Sequence, residues 1–74
     1  MVFEKIRSIL CEQFKLDENN VTMDSGLIGD LVEDSLDVVE IAMSIEDEFD
    51  IDVPDEEIEK FKTVGDIVRF VEDH

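Results

Sequence analysis

The sequence has few of the residues from which catalytic and metal sites are usually built. Its 74 residues include one histidine, His74, one cysteine, Cys11, and no tryptophan or tyrosine. A single cysteine excludes an internal disulfide, and one histidine leaves too few imidazole and thiolate ligands for a zinc-type site. Cys11 falls at the edge of an apolar helical stripe, so we interpret it as a packing residue. We therefore predict no metal site and no redox chemistry.

Positive charge is equally scarce. Six Lys and Arg residues stand against 22 Asp and Glu residues, for a net charge of −16 at pH 7. No basic residue lies between Lys15 and Lys60, and 17 of the 22 acidic residues fall in that interval. A surface of this sign argues against binding to nucleic acid or anionic membranes. It serves either solubility or the steering of the protein toward basic partners, which weakens with salt.

Long apolar runs are missing as well. Hydrophobic residues make up 43% of the chain. No stretch approaches the roughly 20 apolar residues that a membrane-spanning helix needs. Residues 1–5 also lack the charged and apolar blocks of a signal peptide. We expect a cytoplasmic protein that does not bind membranes.

Helical periodicity, by contrast, runs along most of the chain. Apolar residues recur at three- and four-residue steps from Phe3 to Phe14, which predicts a first helix. A long loop rich in Asn, Asp, Ser and Gly follows from Leu16 to Asp34. We expect four apolar residues to hold this loop on the core, namely Val21, Leu27, Ile28 and Leu31.

Three more helices are predicted after the loop. The second runs from Ser35 to Phe49, a short third from Asp55 to Phe61, and the fourth starts at Thr63, with Asp66 at capping-box spacing. The predicted core faces comprise Val38, Ile41, Ala42, Ile45 and Phe49 of the second helix and Val64, Ile67, Val68 and Val71 of the fourth. The sequence therefore predicts one all-α domain over residues 1–74. We expect a small four-helix bundle, three longer helices and one short, with a long loop between helices 1 and 2.

Ser35 is the residue with the most informative position, because it opens the second helix. The N-terminus of a helix presents backbone N–H groups and the positive end of the helix dipole, which together favour a phosphate. A serine nucleophile would need a base beside it, and the histidine lies at the end of the chain. We therefore predict that Ser35 receives a chemical group and that the protein is not an enzyme.

The stretch from Asp50 to Asp55 begins like a calcium-binding EF-hand loop. Its sixth position is Asp55, where the loop needs glycine, and its twelfth is Phe61, where the loop needs glutamate. These two departures argue against a calcium-binding protein.

A second apolar stripe lies beside the core face of the second helix, at Leu36, Val39 and Met43. Four acidic residues rim it: Asp37, Glu40, Glu46 and Asp47. The stripe is either a widened core face or a half-exposed strip for transient docking. In the second case the charges would guide approach and the apolar groups would add modest affinity.

Four segments of the chain carry a family pattern. They are Asp34-Ser35-Leu36-Asp37-Val38-Val39-Glu40, Ile45-Glu46-Asp47-Glu48-Phe49, Val53-Pro54-Asp55-Glu56-Glu57 and Thr63-Val64. In this order and at this spacing they resemble the acyl carrier proteins, and the resemblance covers nearly the whole chain. The chain departs from the pattern at two adjacent positions, since Val32 stands where the family usually has glycine and Glu33 where it has a small or apolar residue.

The resemblance implies that Ser35 is esterified with 4′-phosphopantetheine, which a separate phosphopantetheinyl transferase takes from coenzyme A. The arm would carry acyl thioesters to fatty-acid synthesis enzymes with basic docking patches and to acyltransferases, and we expect a monomer. The implied docking residues are Asp34, Leu36, Asp37, Val39, Glu40, Met43, Glu46 and Asp47. The implied cavity for the acyl chain is lined by Ile45, Phe49 and Ile58. Two alternatives remain: a carrier for polyketide, D-alanyl or aminoacyl groups, and an unmodified acidic interaction module.

Overall fold

Four α-helices form the framework of the computed structural model, which describes residues 2–74. They are α1 (Val2–Phe14), α2 (Ser35–Phe49), α3 (Asp55–Ile58) and α4 (Val64–Asp73). The α1 helix packs against both α2 and α4, and α3 packs against α2. The predicted all-α bundle of three longer helices and one short helix is confirmed.

The core lies between the inner faces of the three longer helices. Every residue predicted for the inner faces of α2 and α4 is buried except Phe49, which is partly exposed. Phe70 is also buried, and its ring meets the ring of Phe61 edge to face with centroids 5.8 Å apart. From α1, Ile6 and Leu10 are fully buried. Burial of these side chains provides the main stabilisation of so short a chain.

The start of α4 is set by a reciprocal capping box, as the Thr63 and Asp66 spacing predicts. The Asp66 N–H donates to Thr63 Oγ1 at 3.2 Å, and Asp66 Oδ2 accepts from the N–H of Thr63 at 3.1 Å. The same oxygen accepts from the N–H of Lys62 at 3.0 Å. The hydrogen bond from the Lys62 N–H is the largest cause that lowers the pKa of Asp66, and the bonds from Thr63 and the charge of Arg69 lower it further. Partial burial of the carboxylate opposes this shift.

The loop between α1 and α2 is held against the N-terminus of α4 by its backbone. A short 3₁₀ helix, Glu18–Asn20, begins the loop. Further on, the N–H of Leu27 donates to the carbonyl of Lys62 at 2.9 Å, and the N–H of Val64 donates to the carbonyl of Ser25 at 3.0 Å. The N–H of Gly65 donates to the carbonyl of Met23 at 2.9 Å. These bonds satisfy N–H groups at the start of α4 and fix the loop that leads to Ser35.

The apolar residues that hold the loop on the core differ in part from the prediction. Val21 and Leu27 are buried and Leu31 is partly buried, as expected, but the prediction for Ile28 was wrong because this side chain is 55% exposed. Val32 is buried in its place. A tight turn causes the exchange: Gly29 has φ of +94°, and its N–H donates to the carbonyl of Val32 at 2.8 Å.

The third helix is shorter than predicted and ends at Ile58 instead of Phe61. Beyond Ile58 the chain tightens into i→i−3 turns, in which Lys60 donates to the carbonyl of Glu57 and Phe61 to that of Ile58. The tightening turns the ring of Phe61 into the core, where it is 7% exposed. Burial of this aromatic ring therefore takes precedence over another turn of helix.

Candidate functional site

The N-terminus of α2 is closed by a second capping box. Asp34 is the N-cap, with extended backbone at φ −134° and ψ 154°, and its carboxylate accepts from the N–H of Leu36 at 3.3 Å. In return, Asp37 Oδ2 accepts from the N–H groups of Asp34 and Glu33, each at 3.3 Å. The box fixes where the helix begins, and so makes Ser35 its first residue.

Ser35 is exposed at this helix start. Its hydroxyl donates to Asp34 Oδ1 at 3.3 Å, a long hydrogen bond to an exposed carboxylate. The hydroxyl is therefore accessible to a second protein, and a phosphate on it would lie at the positive end of α2.

A groove of about 490 Å³ opens beside Ser35 between α2, α3 and the loop. Val38 and Val39 of α2 form one wall, Ile58 and Phe61 form the facing wall, and Ile28 of the loop joins them. Two carboxylates, those of Asp55 and Glu59, also line it. The groove thus offers apolar surface at the point where a group carried by Ser35 would begin.

Of the three residues expected to line an acyl-chain cavity, only Ile58 lines this groove. Ile45 is 1% exposed within the core cluster, because it lies on the inner face of α2. Phe49 is at the far end of α2, where the Lys5 ammonium lies 5.9 Å from its ring centroid. An enclosed cavity that includes Ile45 and Phe49 would require α2 and its neighbours to separate, and it stays a prediction.

The stripe beside the core face of α2 is exposed and does not widen the core. Leu36 is 68% exposed, Met43 59% and Val39 37%. Ile28 lines the same groove as Val39 and is also exposed. We call these four residues the apolar patch. Scattered apolar side chains are normal on a surface, whereas several beside one accessible hydroxyl are typical of a binding surface.

The carboxylates around the patch fall into two groups. Asp34, Asp37 and Glu46 accept backbone hydrogen bonds, the first two in the capping box and Glu46 from the N–H of Val53 at 2.9 Å. Glu40 and Asp47 are exposed, and within residues 2–74 neither carboxylate accepts a hydrogen bond from another residue. The carboxylates of Glu40 and Asp47 can therefore pair with basic groups of a partner without breaking a hydrogen bond of the fold.

Comparison with known proteins agrees with this geometry. The family model for the phosphopantetheine attachment site matches residues 4–71. The chain is 49% identical to the acyl carrier protein of Clostridium acetobutylicum over 74 residues, which is all of this chain and 96% of that protein. It is 42% identical to the acyl carrier protein of Clostridium perfringens strain SM101 over 73 residues, 99% of this chain and 96% of that one. The chain belongs to the acyl carrier protein family.

Acyl carrier proteins hold a covalently attached 4′-phosphopantetheine, and the residues beside Ser35 fit such a group. The hydroxyl is exposed, the helix start favours a phosphodiester, and the groove opens directly beside it. When attached, the group supplies a terminal thiol that forms thioesters. Acyl carrier proteins are carriers and not catalysts, so the substrate they hold is transformed by other proteins.

The remaining chemistry-bearing residues lie away from the groove. His74 stacks on the ring of Phe70 with centroids 4.0 Å apart, and its Nδ1 lies 2.8 Å from the carbonyl oxygen of Phe70. Cys11 packs against the core, where burial and then the charge of Glu18 raise the pKa of its thiol. Over residues 2–74, no cluster of three or more potential metal ligands is present. No helix in the same range has the length and apolar character needed to span a bilayer.

The sequence analysis did not anticipate that Ile28 and Phe61 line the groove. Ile28 was assigned to the core because it is apolar in a long loop, and only the turn at Gly29 brings it to the groove. Phe61 is the last residue of the predicted third helix, and in the structure it lines the groove from a turn that follows α3. The glycine after Ile28 was the available signal, since glycine often marks a reversal of the chain.

Proposed function

We propose that Ser35 carries the 4′-phosphopantetheine arm and that residues 1–74 act as one monomeric, cytoplasmic carrier domain that delivers acyl thioesters to fatty-acid biosynthesis enzymes. The observation that supports this most strongly is the exposed Ser35 hydroxyl at the capped start of α2, on the rim of an apolar groove. A flexible tethered arm presents its cargo to each partner at high effective concentration, so the carrier itself needs no catalytic residue.

Loading is a phosphoryl transfer that the partner enzyme must catalyse. The Ser35 oxygen forms a bond to the pantetheine-bearing phosphorus of coenzyme A, and the bond from that phosphorus to the nucleotide half breaks. The nucleotide half leaves as adenosine bisphosphate, and the serine proton passes to a base of the phosphopantetheinyl transferase. The carrier's part is to present the hydroxyl, since its neighbour Asp34 is occupied with the helix cap.

The docking surface that we propose is the apolar patch with the exposed carboxylates Glu40 and Asp47. Net charge of −16 provides long-range attraction to a basic enzyme surface. The patch then supplies contacts once the surfaces meet, as interfaces with an apolar centre and polar rim do. The same surface would meet transferases, acyltransferases and synthesis enzymes in turn, because each must reach the group on Ser35.

The test is a loading assay with a matched variant. We expect intact apo protein, incubated with coenzyme A and a phosphopantetheinyl transferase, to gain the mass of one phosphopantetheinyl group. Ser35→Ala should gain nothing while keeping the unfolding temperature of the wild type, because Ser35 is exposed and its long bond to Asp34 contributes little. Modification that persists in Ser35→Ala would place the arm elsewhere.

The cargo needs a second measurement. The loaded protein is offered to a fatty-acid synthesis acyltransferase and, separately, to ligases for D-alanine or other amino acids. Acylation by the acyltransferase alone supports the fatty-acid pathway, and acylation by an amino-acid ligase alone contradicts it. An unmodified interaction module would show neither reaction.

A further inference from the structure

Glu46 accepts hydrogen bonds from three backbone N–H groups at and beyond the end of α2. Asp50 ends the helix in the left-handed region, at φ 55° and ψ 49°, and its N–H donates to the carbonyl of Glu46. The N–H of Ile51 donates to the same carbonyl at 3.3 Å. The Glu46 carboxylate then accepts from the N–H of Val53 at 2.9 Å, in a partly buried position. One residue therefore directs the chain from α2 into the segment that precedes α3.

That segment carries the wall of the groove that faces α2. Ile58 and Glu59 line the groove from this side, together with Asp55 at the start of α3. The α3 helix itself is weakly held, since none of its four residues is fully buried, Ile58 only partly contacts the core, and Pro54 offers no side-chain cap. Val53, which is 5% exposed, and Phe61, which is 7% exposed, are its two buried ends.

We propose that Glu46 is a positioning residue that fixes this wall, and that it thereby sets how large an apolar acyl chain the groove covers. The cargo part of this inference rests on the proposed function. The bond from the Val53 N–H to Glu46 Oε2 ties one buried end of the wall to α2, about two turns from the residues that form the opposite wall. Loss of that acceptor would let the segment between Ile51 and Ile58 move away from α2, since α3 is short and without a cap.

The family resemblance implies that Glu46 belongs to the docking surface, and two substitutions separate that role from positioning of the wall. Glu46→Gln removes the charge but keeps an oxygen that can accept from Val53. Glu46→Ala removes both. A docking charge would make the two variants behave alike, whereas a positioning acceptor would make the glutamine variant resemble the wild type. Glu48→Ala is the matched control, because Glu48 lies on the same helix, is exposed, and within residues 2–74 its carboxylate accepts no hydrogen bond from another residue.

The first measurement is amide hydrogen exchange of the intact apo protein. In Glu46→Ala we expect the Val53 amide to exchange about tenfold faster, as loss of a hydrogen bond to a charged group allows. Amides of α4 should keep wild-type rates, and Glu46→Gln and Glu48→Ala should stay within about threefold at Val53. Equal acceleration in Glu46→Gln and Glu46→Ala, uniform acceleration over the whole chain, or no change would overturn the inference.

The second measurement is the rate at which hydroxylamine cleaves the thioester, which shows how well the groove protects the acyl chain. Each variant is loaded with acetyl or hexanoyl pantetheine from the corresponding coenzyme A thioester, and cleavage of the thioester by hydroxylamine is timed. Glu46→Ala should lose its hexanoyl group several-fold faster than the wild type and its acetyl group at the same rate, with Glu46→Gln close to the wild type. Equal hexanoyl rates in Glu46→Ala and wild type would refute the role in cargo size. Failure of the wild type to be loaded would instead refute the proposed function, while the exchange result still decides whether Glu46 holds the wall.

Discussion

Gly65 allows the closest test of how the loop is held on α4. It is buried at the second position of α4, and its N–H donates to the carbonyl of Met23 at 2.9 Å. A Cβ added here would lie 2.9 Å from that carbonyl oxygen and 3.3 Å from Arg69 Nη2. Helix propensity alone predicts that Gly65→Ala stabilises the protein by about 1 kcal/mol. The loop reverses that sign, because the atom in the way belongs to the backbone.

The magnitude follows from three contributions. Overpacking against a backbone atom costs about 1–3 kcal/mol, and a weakened bond between Gly65 and Met23 costs about 1 kcal/mol. The propensity gain of about 1 kcal/mol offsets part of this. We expect a net loss of about 2 kcal/mol in the free energy of unfolding, which lowers the melting temperature by roughly 8–16 °C in a chain of this size.

Thermal and urea unfolding, followed by far-ultraviolet circular dichroism, measure this difference directly. The control is Glu72→Ala, an exposed position on the same helix, which should change the unfolding free energy by less than about 0.5 kcal/mol. If Gly65→Ala were as stable as the wild type or more so, the loop would be free to move away from α4, and the reasoning that fixes it there would fail.

Two further predictions concern the α4 cap and the apolar patch. Asp66→Ala removes the acceptor of two backbone N–H groups and should cost about 2 kcal/mol at neutral pH. Because the folded state lowers the pKa of Asp66, this contribution is complete above the unfolded pKa of about 3.9 and is lost as pH falls through the folded pKa. In urea unfolding from pH 7 downward, the unfolding free energies of wild type and Asp66→Ala should therefore converge in acid. A difference that stays constant with pH would contradict the lowered pKa. Leu36→Ala and Met43→Ala should each raise the KM of the phosphopantetheinyl transferase for the carrier, while the melting temperature stays constant because both side chains are mostly exposed. An unchanged KM in both variants would show that the apolar patch is not part of the docking surface.

The features that could be predicted from the sequence are those that depend on near neighbours in the chain. Apolar residues at helical spacing predict α1, α2 and α4, and their inner faces are buried almost as expected. Thr63 and Asp66 form the capping box that their spacing predicts, because the bonds join residues three apart. Ser35 lies at the start of α2 for the same reason, since Asp34 and Asp37 close the cap around it.

The features that could not be predicted depend on contacts between distant segments. Ile28 and Val32 are both apolar loop residues, and only the turn at Gly29 decides that Val32 is buried and Ile28 reaches the groove. The burial of Phe61 ends α3 early for a similar reason. Glu46 looks like one more exposed acid on an acidic helix until its contact with the Val53 N–H is seen.

The sequence by itself determined the three longer helices, the α4 cap, the charge of the surface and the position of Ser35, because these depend on the order and spacing of residues close along the chain. The tertiary structure alone decided the groove, since α2, the segment around α3 and the loop from α1 to α2 must meet to form it. It also decided which carboxylates remain available to a partner. An acidic side chain beside an unsatisfied N–H group accepts a hydrogen bond, and only the folded chain shows which of them have such a neighbour.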